Sequence, residues 1–449
     1  MTDRPYPDML SVEQKYGTWL DDEGLDMVRE IKRYVDETML PEANEYEGGW
    51  QKDESRALEA FDRAYADLAE LGVQEATISE AYGGLGLSGM VLNAMKEEIS
   101  RADPGITTAL GKIHWMSGIL QIAGNDHLKD ELLPEVVDGN PKTVAVLITE
   151  EQGGANIEDL TQEGRPIRVT AEKDGNEYVL NGHKKWGGPG GPPEYFDRPY
   201  LNGHLGYFVV TNMAPEQGED GLAIFYVPPD ADGLTFGDAY EKMGMAWTDR
   251  NIEYWFDDVR IPAAYRVDNP DQPRQASRIL HGAVIAGGKL ASAATLIGTA
   301  QRAFEIAVDW SGDRTIKGKP MRERPMFANM IGELARDIEA GRSYYFTVNQ
   351  MMGDPRSHGA LWDPSMIGRT GAARSMAADV ATRTFDRTFQ LLGSQGYAYD
   401  AGVDKLKRDS KIIQLWLGGS QRDRLDMAYA FFDHEWLAPP DFEWHYEST

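Results

Sequence analysis

The hydrophobic positions in the first third of the chain recur at helical spacing. In the segment 20–40, apolar residues follow one another at intervals of three or four positions, which places them on one face of a helix. The segment 57–73 shows the same pattern and has Gly72 near its end, a residue that commonly terminates helices. The pattern therefore predicts an N-terminal helical domain over residues 1–142.

The pattern of apolar positions then changes to one typical of strands. The segment 143–149 is short and β-branched, and the segment 167–186 alternates apolar and polar positions. A hairpin is predicted around Asp174–Gly175, with a second turn at Asn181–Gly182. Four more strand-like segments follow. We predict a middle, barrel-like β-domain over residues 143–264.

The helical period returns in the last part of the chain. A long segment rich in small residues is followed by two more long helical patterns and a shorter one. These patterns predict a C-terminal four-helix bundle over residues 275–449, so the chain is predicted to be an α+β protein that is mainly α. The predicted helices cover 287–310, 325–352, 364–393 and 421–432.

The strongly negative net charge of the chain argues against one class of function. With 73 acidic and 45 basic residues the formal net charge is -28, and such a surface repels phosphate backbones, which argues against nucleic-acid binding. The acidity fits a halophilic source and an ordinary acidic protein equally well. Because the overall field repels anions, any anionic ligand must be bound by local donors.

Three further counts limit the chemistry and the location. The chain has no cysteine, which excludes disulfides, thiolate nucleophiles and Cys-ligated metals. Its eight histidines are scattered without close acidic partners, so no metal site is predicted. No apolar run of about 18 residues and no signal-peptide pattern is seen, which predicts a cytoplasmic protein without a membrane span.

Three glycine-rich segments are candidates for contact with a large ligand. In the segment 408–421, RDSKIIQLWLGGSQ, an apolar run ends in a glycine pair, and glycine lets a backbone approach a cofactor closely. TEEQGGAN (149–156) offers backbone N–H groups that suit a phosphate or a flavin edge. In KKWGGPGGPP (184–193), Trp186 is either a buried indole or an aromatic wall beside a planar cofactor.

Five motifs occur in a fixed order over about residues 25–435. They are ITEEQGGAN, YVLNGHKKW, EKMGMAWTDRNIEYWFDDVRIP, RTIKG, and the pair QLLGSQGY with VDKLKRDSKIIQLWLGGSQ. In order and composition these motifs resemble those of the acyl-CoA dehydrogenase family. The resemblance implies an N-terminal helical domain, a middle β-domain, a C-terminal four-helix bundle, a bound FAD, an acyl-CoA substrate, and a homotetramer or dimer that completes each site.

The resemblance also implies which residues bind FAD and substrate. Arg314 would pair with the FAD pyrophosphate of a neighbouring subunit, and Lys289 would hold the CoA end of the substrate. The segment 187–208 departs from the family in composition, and we expect it to cap the flavin edge where an electron-transfer flavoprotein would dock. The implied cofactor-binding residues are Thr149, Gly153, Gly154, Ala155, Trp186, Gly188, Arg314, Gln390, Gly393, Gly418, Gly419 and Gln421, and the implied substrate-binding residues are Lys289 and Leu417.

The chain departs from the family where the catalytic glutamate is expected. The two usual positions of this base correspond to Leu417 and Gly288, and neither side chain can accept a proton. Residues that would hydrogen-bond the flavin through their side chains are also replaced, by Ala155, Gly188 and Gly419. The catalytic residues therefore stay unidentified in the sequence.

Three explanations remain open for the missing glutamate. The base stands elsewhere, for instance an acid or His114 near the segment 103–114, which in the family lines the acyl pocket. Alternatively the reaction needs no α-proton abstraction, as in family members that eliminate a sulfinate or use reduced flavin with oxygen. The third explanation is a protein that binds an acyl-CoA, or FAD alone, without turnover.

Overall fold

The helices of the N-terminal domain begin at side chains that cap them. The computed structural model describes residues 9–158, 162 and 164–432. Asp103 accepts hydrogen bonds from the backbone N–H groups of Gly105 and Ile106 at 2.8 and 2.9 Å, which fixes the start of the helix that follows. The helices are Val12–Tyr16, Asp22–Tyr34 with its π-helical extension Val35–Met39, Glu54–Glu70, Gly89–Ser100, Pro104–Ala123 and Asp126–Leu132.

The middle domain packs two β-sheets against each other. Buried side chains from both sheets, among them Tyr207, Phe225 and Tyr254, form its core. The predicted hairpin is present, because the first two strands of the larger sheet pair antiparallel with Asp174 opposite Glu177. In spatial order, the smaller sheet contains Thr143–Leu147, His204–Asn212 and Leu222–Val227, and the larger contains Thr170–Asp174, Glu177–Gly187, Ile252–Pro262 and Leu234–Phe236.

The predicted second turn at Asn181–Gly182 is wrong. The strand Glu177–Gly187 runs through both residues, and its pairing with Ile252–Pro262 shifts register at Gly182. Gly182 has a φ of 135°, and a Cβ there would lie 2.9 Å from Val169 Cγ2. The glycine marks a bulge where a neighbouring chain segment comes close, and not a chain reversal.

One long helix forms the centre of the C-terminal bundle. Gln275–Ile279 continues through the π-helical Leu280–Ala286 into Gly287–Asp313. By length and composition this 39-residue stretch could cross a membrane, but 83% of its apolar window is buried inside the protein, as expected for a bundle core. The predicted bundle is confirmed, and its other helices include Pro325–Met352, Pro364–Leu392, Val403–Ile413 and Gly419–Tyr429.

The N-terminal domain and the bundle share a hydrophobic core and several buried ion pairs. Gly298 lies against the helix Gly89–Ser100, where a Cβ would lie 2.1 Å from the carbonyl oxygen of Glu97. The Glu97 carboxylate accepts hydrogen bonds from Arg342 Nε at 2.9 Å and from the Tyr345 hydroxyl at 2.5 Å. These contacts hold the N-terminal helices in place against the bundle.

Candidate active site

A cavity of about 360 Å³ lies where the three domains meet. The helix Pro104–Ala123 supplies one wall, the middle domain a second and the bundle a third. Residues that the resemblance implies for the site are brought together here from the middle domain and from the C-terminal part of the chain. Those in the lining are Thr149, Gly154, Ala155, Trp186, Gly188, Leu417 and Gly418.

Trp186 presents an indole to this cavity. Its ring stacks on Tyr240 with 4.2 Å between centroids and 17° between planes, yet the residue is still 44% exposed. Its backbone is left-handed, with a φ of 60°. A core tryptophan would be covered on both faces, so the structure favours the aromatic wall over the buried indole.

A tight turn places Leu417 in the cavity lining. Leu417, Gly418 and Gly419 all have a positive φ, at 47°, 80° and 71°. Arg374 holds this turn because its guanidinium donates hydrogen bonds to the carbonyl oxygens of Trp416 and Leu417 at 2.6 and 2.8 Å. The backbone of the turn is therefore fixed independently of the leucine side chain.

The two positions where the resemblance places a catalytic base face each other. A Cβ at Gly288 would lie 2.8 Å from Leu417 Cδ1 and 2.7 Å from Trp115 Cζ2. The missing carboxylates thus leave a small apolar surface at this point of the cavity. No proton acceptor can come from either position.

Glu158 is an acid in the cavity lining that the sequence motifs did not indicate. Its Oε2 accepts a hydrogen bond from Lys289 Nζ at 2.6 Å, whereas Oε1 is buried and has no hydrogen-bond partner among the residues that the structure describes. A Cβ at Gly418 would lie 2.8 Å from Oε1, so this oxygen stands beside the Leu417 turn. Burial raises the pKa of Glu158 to about 7, opposed by the charge of Lys289 and supported by that of Asp426.

Lys289 lies in a buried cluster of carboxylates. It is fully buried, and its ammonium lies 2.6 Å from carboxylate oxygens of Glu158 and Asp426 and 3.5 Å from Asp423. It is absent from the cavity lining. Three carboxylates surround its charge, and the lysine orients Glu158. The expected contact of Lys289 with the CoA end stays a prediction that this burial does not favour.

Two lysines line the side of the cavity that the N-terminal helices form. Lys96 is buried, and burial together with the charge of Lys112 lowers the pKa of Lys96 to about 7. The Lys112 ammonium lies 4.1 Å from the ring centroid of Trp115. Asp249, a second acid in the lining, has a buried Oδ1 to which none of the described residues hydrogen-bonds.

The other places suggested for a relocated base are less suitable. His114 is a packed core histidine: its Nε2 lies 2.8 Å from the Val73 carbonyl oxygen, and burial lowers its pKa well below the usual value. Asp103 caps a helix and binds Lys405 Nζ at 2.6 Å. Neither residue belongs to the cavity lining.

Several implied FAD-binding residues lie outside this cavity. Gly153 packs against the backbone of Pro166 instead, since a Cβ at Gly153 would lie 2.0 Å from the Pro166 carbonyl oxygen. Gly419 is buried within the turn, and Gln421 is exposed. Arg314, Gln390 and Gly393 are exposed on the bundle, so one chain by itself does not bring them to the lining.

The segment 187–208 is anchored to the N-terminal domain. Arg198 donates hydrogen bonds to both carboxylate oxygens of Asp62, at 2.6 and 2.7 Å, and Phe196 is buried. Gly187 and Gly188 at its start line the cavity. The segment therefore forms a fixed border of the candidate site.

Known family models match the chain in three consecutive parts. The N-terminal, middle and C-terminal domains of acyl-CoA dehydrogenase match residues 21–140, 145–259 and 280–431. The chain belongs to the acyl-CoA dehydrogenase family. It is a flavoenzyme of the acyl-CoA dehydrogenase type, and FAD is the cofactor of this family.

Individual relatives are distant but similar over their full length. Cyclohex-1-ene-1-carbonyl-CoA dehydrogenase of Geobacter metallireducens is 27% identical over 406 residues, 89% of this chain and 95% of that protein. The structure of butyryl-CoA dehydrogenase from Megasphaera elsdenii matches with a TM-score of 0.77 at 23% identity, over 92% of this chain and 98% of that one.

The fold is also similar to that of a flavoprotein that is named an oxidase and not an acyl-CoA dehydrogenase. A structure of the flavoprotein nitroalkane oxidase matches with a TM-score of 0.80 at 20% identity, over 94% of this chain and 97% of that one. Because one fold can carry more than one chemistry, the reaction must be argued from the residues of the site.

Proposed function

We propose that this flavoenzyme oxidises an acyl-CoA thioester by α,β-dehydrogenation, with Glu158 as the relocated base. The observation that carries the proposal concerns Glu158 Oε1, which has no hydrogen-bond partner within the described part of the chain. Glu158 belongs to the cavity lining, and this oxygen stands beside the turn of Leu417. The carboxylate thus lies next to the place where the family's base is expected, although it comes from the middle domain.

The middle-domain side of the cavity fits a planar cofactor. Trp186 offers an open indole surface, Thr149 offers a hydroxyl, and nothing lies within 4 Å of where a Cβ would stand at Gly154. These three residues would hold the flavin of FAD. Bound FAD supplies the acceptor for the hydride that leaves the β-carbon.

Glu158 has the properties of a general base. A pKa of about 7 makes it a stronger proton acceptor than an ordinary carboxylate while leaving much of it ionised at neutral pH. Lys289 fixes Oε2, so Oε1 is the atom that takes the α-proton as the C–H bond breaks. When Glu158 becomes neutral, Lys289 keeps Asp423 and Asp426 as partners, which limits the cost of the change in charge.

A second subunit would complete the FAD site. Arg314 is exposed, and a guanidinium fork suits a pyrophosphate. Gln390 and Gly393 are exposed at the end of another bundle helix. Their position outside the cavity supports a homodimer or homotetramer in which each chain serves the FAD of its neighbour.

The test uses FAD-loaded protein in the absence of oxygen. An acyl-CoA that is a substrate should bleach the flavin, and Glu158→Gln should slow this reduction by about 100-fold or more while still binding FAD and acyl-CoA. Asp386→Asn, on the bundle surface, is the matched control and should behave as the wild type. Reduction lost in Asp249→Asn but kept in Glu158→Gln would assign the base to Asp249 instead.

Other spectral outcomes contradict dehydrogenation. Product formation without net bleaching would indicate an elimination. A spectral shift without product would indicate a protein that binds acyl-CoA and does not turn it over. Protein that takes up no added FAD would contradict the whole proposal.

A further inference from the structure

Lys96 differs from the other deeply buried lysines of the described chain. Lys184, Lys289 and Lys405 each have a carboxylate oxygen 2.6 Å from their ammonium. Lys96 is only 5% exposed and lines the cavity, and the charged group that acts on it is another cation, Lys112. Burying an ammonium group without an anion costs free energy, so this position of Lys96 favours a ligand that carries a negative charge.

Lys112 adds a second positive charge to the same wall. Its ammonium lies 4.1 Å from the ring centroid of Trp115 and 6.0 Å from that of Trp416. Asp249 offsets its charge in part, but no direct ion pair joins the two among the described residues. Two neighbouring cations in an apolar cavity repel each other unless a ligand brings the anion.

We propose that the cavity accepts acyl-CoA thioesters whose acyl group ends in a carboxylate, which Lys96 and Lys112 bind. This inference rests on the proposed function, because it names the substrate class of the same site. Because Lys96 is only 5% exposed, a ligand group that reaches its ammonium must be compact, as a carboxylate is. The terminal carboxylate supplies the missing anion, and the two ammonium groups supply hydrogen-bond donors.

The experiment compares acyl groups of equal length on the FAD-loaded enzyme. Succinyl-, glutaryl- and adipyl-CoA are tested against butyryl-, pentanoyl- and hexanoyl-CoA, by anaerobic flavin reduction and by the spectral shift on binding. At one length at least, the acyl group with the carboxylate should bind at least ten-fold more tightly. In Lys96→Met this preference should fall by about 10- to 100-fold, because one charge-assisted hydrogen bond is lost.

Two further variants keep the test independent of folding defects. Lys96→Arg retains a cation and should keep the preference, and Lys407→Met, a surface substitution outside the site, should leave both preference and melting temperature unchanged. In ligand-free protein, Lys96→Met should raise the melting temperature because it removes an unpaired buried charge. That readout does not depend on activity.

The outcomes separate this inference from the proposed function. At each of the three lengths, the wild type could reduce its flavin equally well with the dicarboxylic and the plain acyl-CoA. That result would overturn the proposed substrate class and leave dehydrogenation intact. The same conclusion follows if Lys96→Met changes neither the preference nor the stability. Absence of any response to all six thioesters would instead contradict the proposed function.

Discussion

Arg374 donates a hydrogen bond to the Leu417 carbonyl oxygen at 2.8 Å while it binds both carboxylate oxygens of Asp423, at 2.7 and 2.6 Å. One buried guanidinium thus joins the helix Pro364–Leu392, the helix Gly419–Tyr429 and the turn between Trp416 and Gly418. The turn keeps its shape although the side chain at 417 is apolar, so it can serve as a cavity wall without serving as a base.

Arg374→Met should destabilise the protein by about 3–5 kcal/mol, because it leaves the buried Asp423 without its main partner. The measurement is the free energy of unfolding in urea. Arg336→Met, which removes an arginine whose side chain is 67% exposed, should change it by less than about 1 kcal/mol. If the double variant Arg374→Met/Asp423→Leu is no more stable than Arg374→Met, the cost does not come from the unpaired carboxylate.

Activity should depend on the ionisation of Glu158. Burial raises its pKa to about 7, so the rate of anaerobic flavin reduction should rise about ten-fold per pH unit below that value and level off above it. A midpoint near 4.5, or a profile that Glu158→Gln leaves unchanged, would contradict the assignment. Besides burial, the charges of Lys289, Asp426 and Arg374 act on the pKa of Glu158, and Arg422 interacts with the same carboxylate.

The stability of the fold should decrease at acidic pH because of Glu98. Burial opposes its ionisation, yet the charges of Lys15 and Arg101 lower the pKa of Glu98 to about 2. Since the folded carboxylate binds its proton less readily than the unfolded one, the free energy of unfolding should fall as pH drops from about 4.5 to 2. This fall should be smaller in Glu98→Gln than in Glu30→Gln, whose surface carboxylate pairs with Arg33.

Two glycines of the bundle should respond differently to alanine. At Gly298 a Cβ would meet the Glu97 carbonyl oxygen at 2.1 Å, and a backbone cannot move aside, so Gly298→Ala should cost about 2–3 kcal/mol or more. At Gly341 the nearest atom is Ile297 Cδ1 at 2.6 Å, the movable tip of a side chain. Gly341→Ala should therefore stay within about 1 kcal/mol of the wild type, helped by the better helix propensity of alanine. Equal effects in urea unfolding would show that close backbone packing at Gly298 is not decisive.

Loss of the Arg314 guanidinium should weaken FAD binding by about 10- to 100-fold if it meets a pyrophosphate across a subunit interface. Equilibrium dialysis measures the affinity, and sedimentation measures the mass of the assembly. Arg356→Ala, another exposed arginine of the bundle, is the control. Monomeric protein that binds FAD as tightly as the assembly would contradict the shared site.

The spacing of apolar residues predicted the three-domain architecture, because each domain is built mainly of helices or mainly of strands and keeps one spacing along its length. The glycine at 182 misled the prediction, since a glycine needed for close approach looks the same in sequence as one that reverses the chain. The motifs located the cavity through the segments around Trp186 and Leu417. Glu158, Lys96 and Lys112 were missed because their importance lies in what surrounds them: a partner-free oxygen and two ammonium groups in an apolar wall become visible only when distant segments have packed together.

The contact between Gly288 and Leu417 also limits how the sequence can evolve. A glutamate at 288 would collide with Leu417 and Trp115, and a glutamate at 417 would find Lys289 already held by three carboxylates. A single substitution to glutamate is therefore opposed by packing at position 288 and gains no free charge from Lys289 at position 417. The packing of Leu417 against position 288 and the pairing of Lys289 therefore act together, and an acid at either position needs a second substitution to make room or to free a cation.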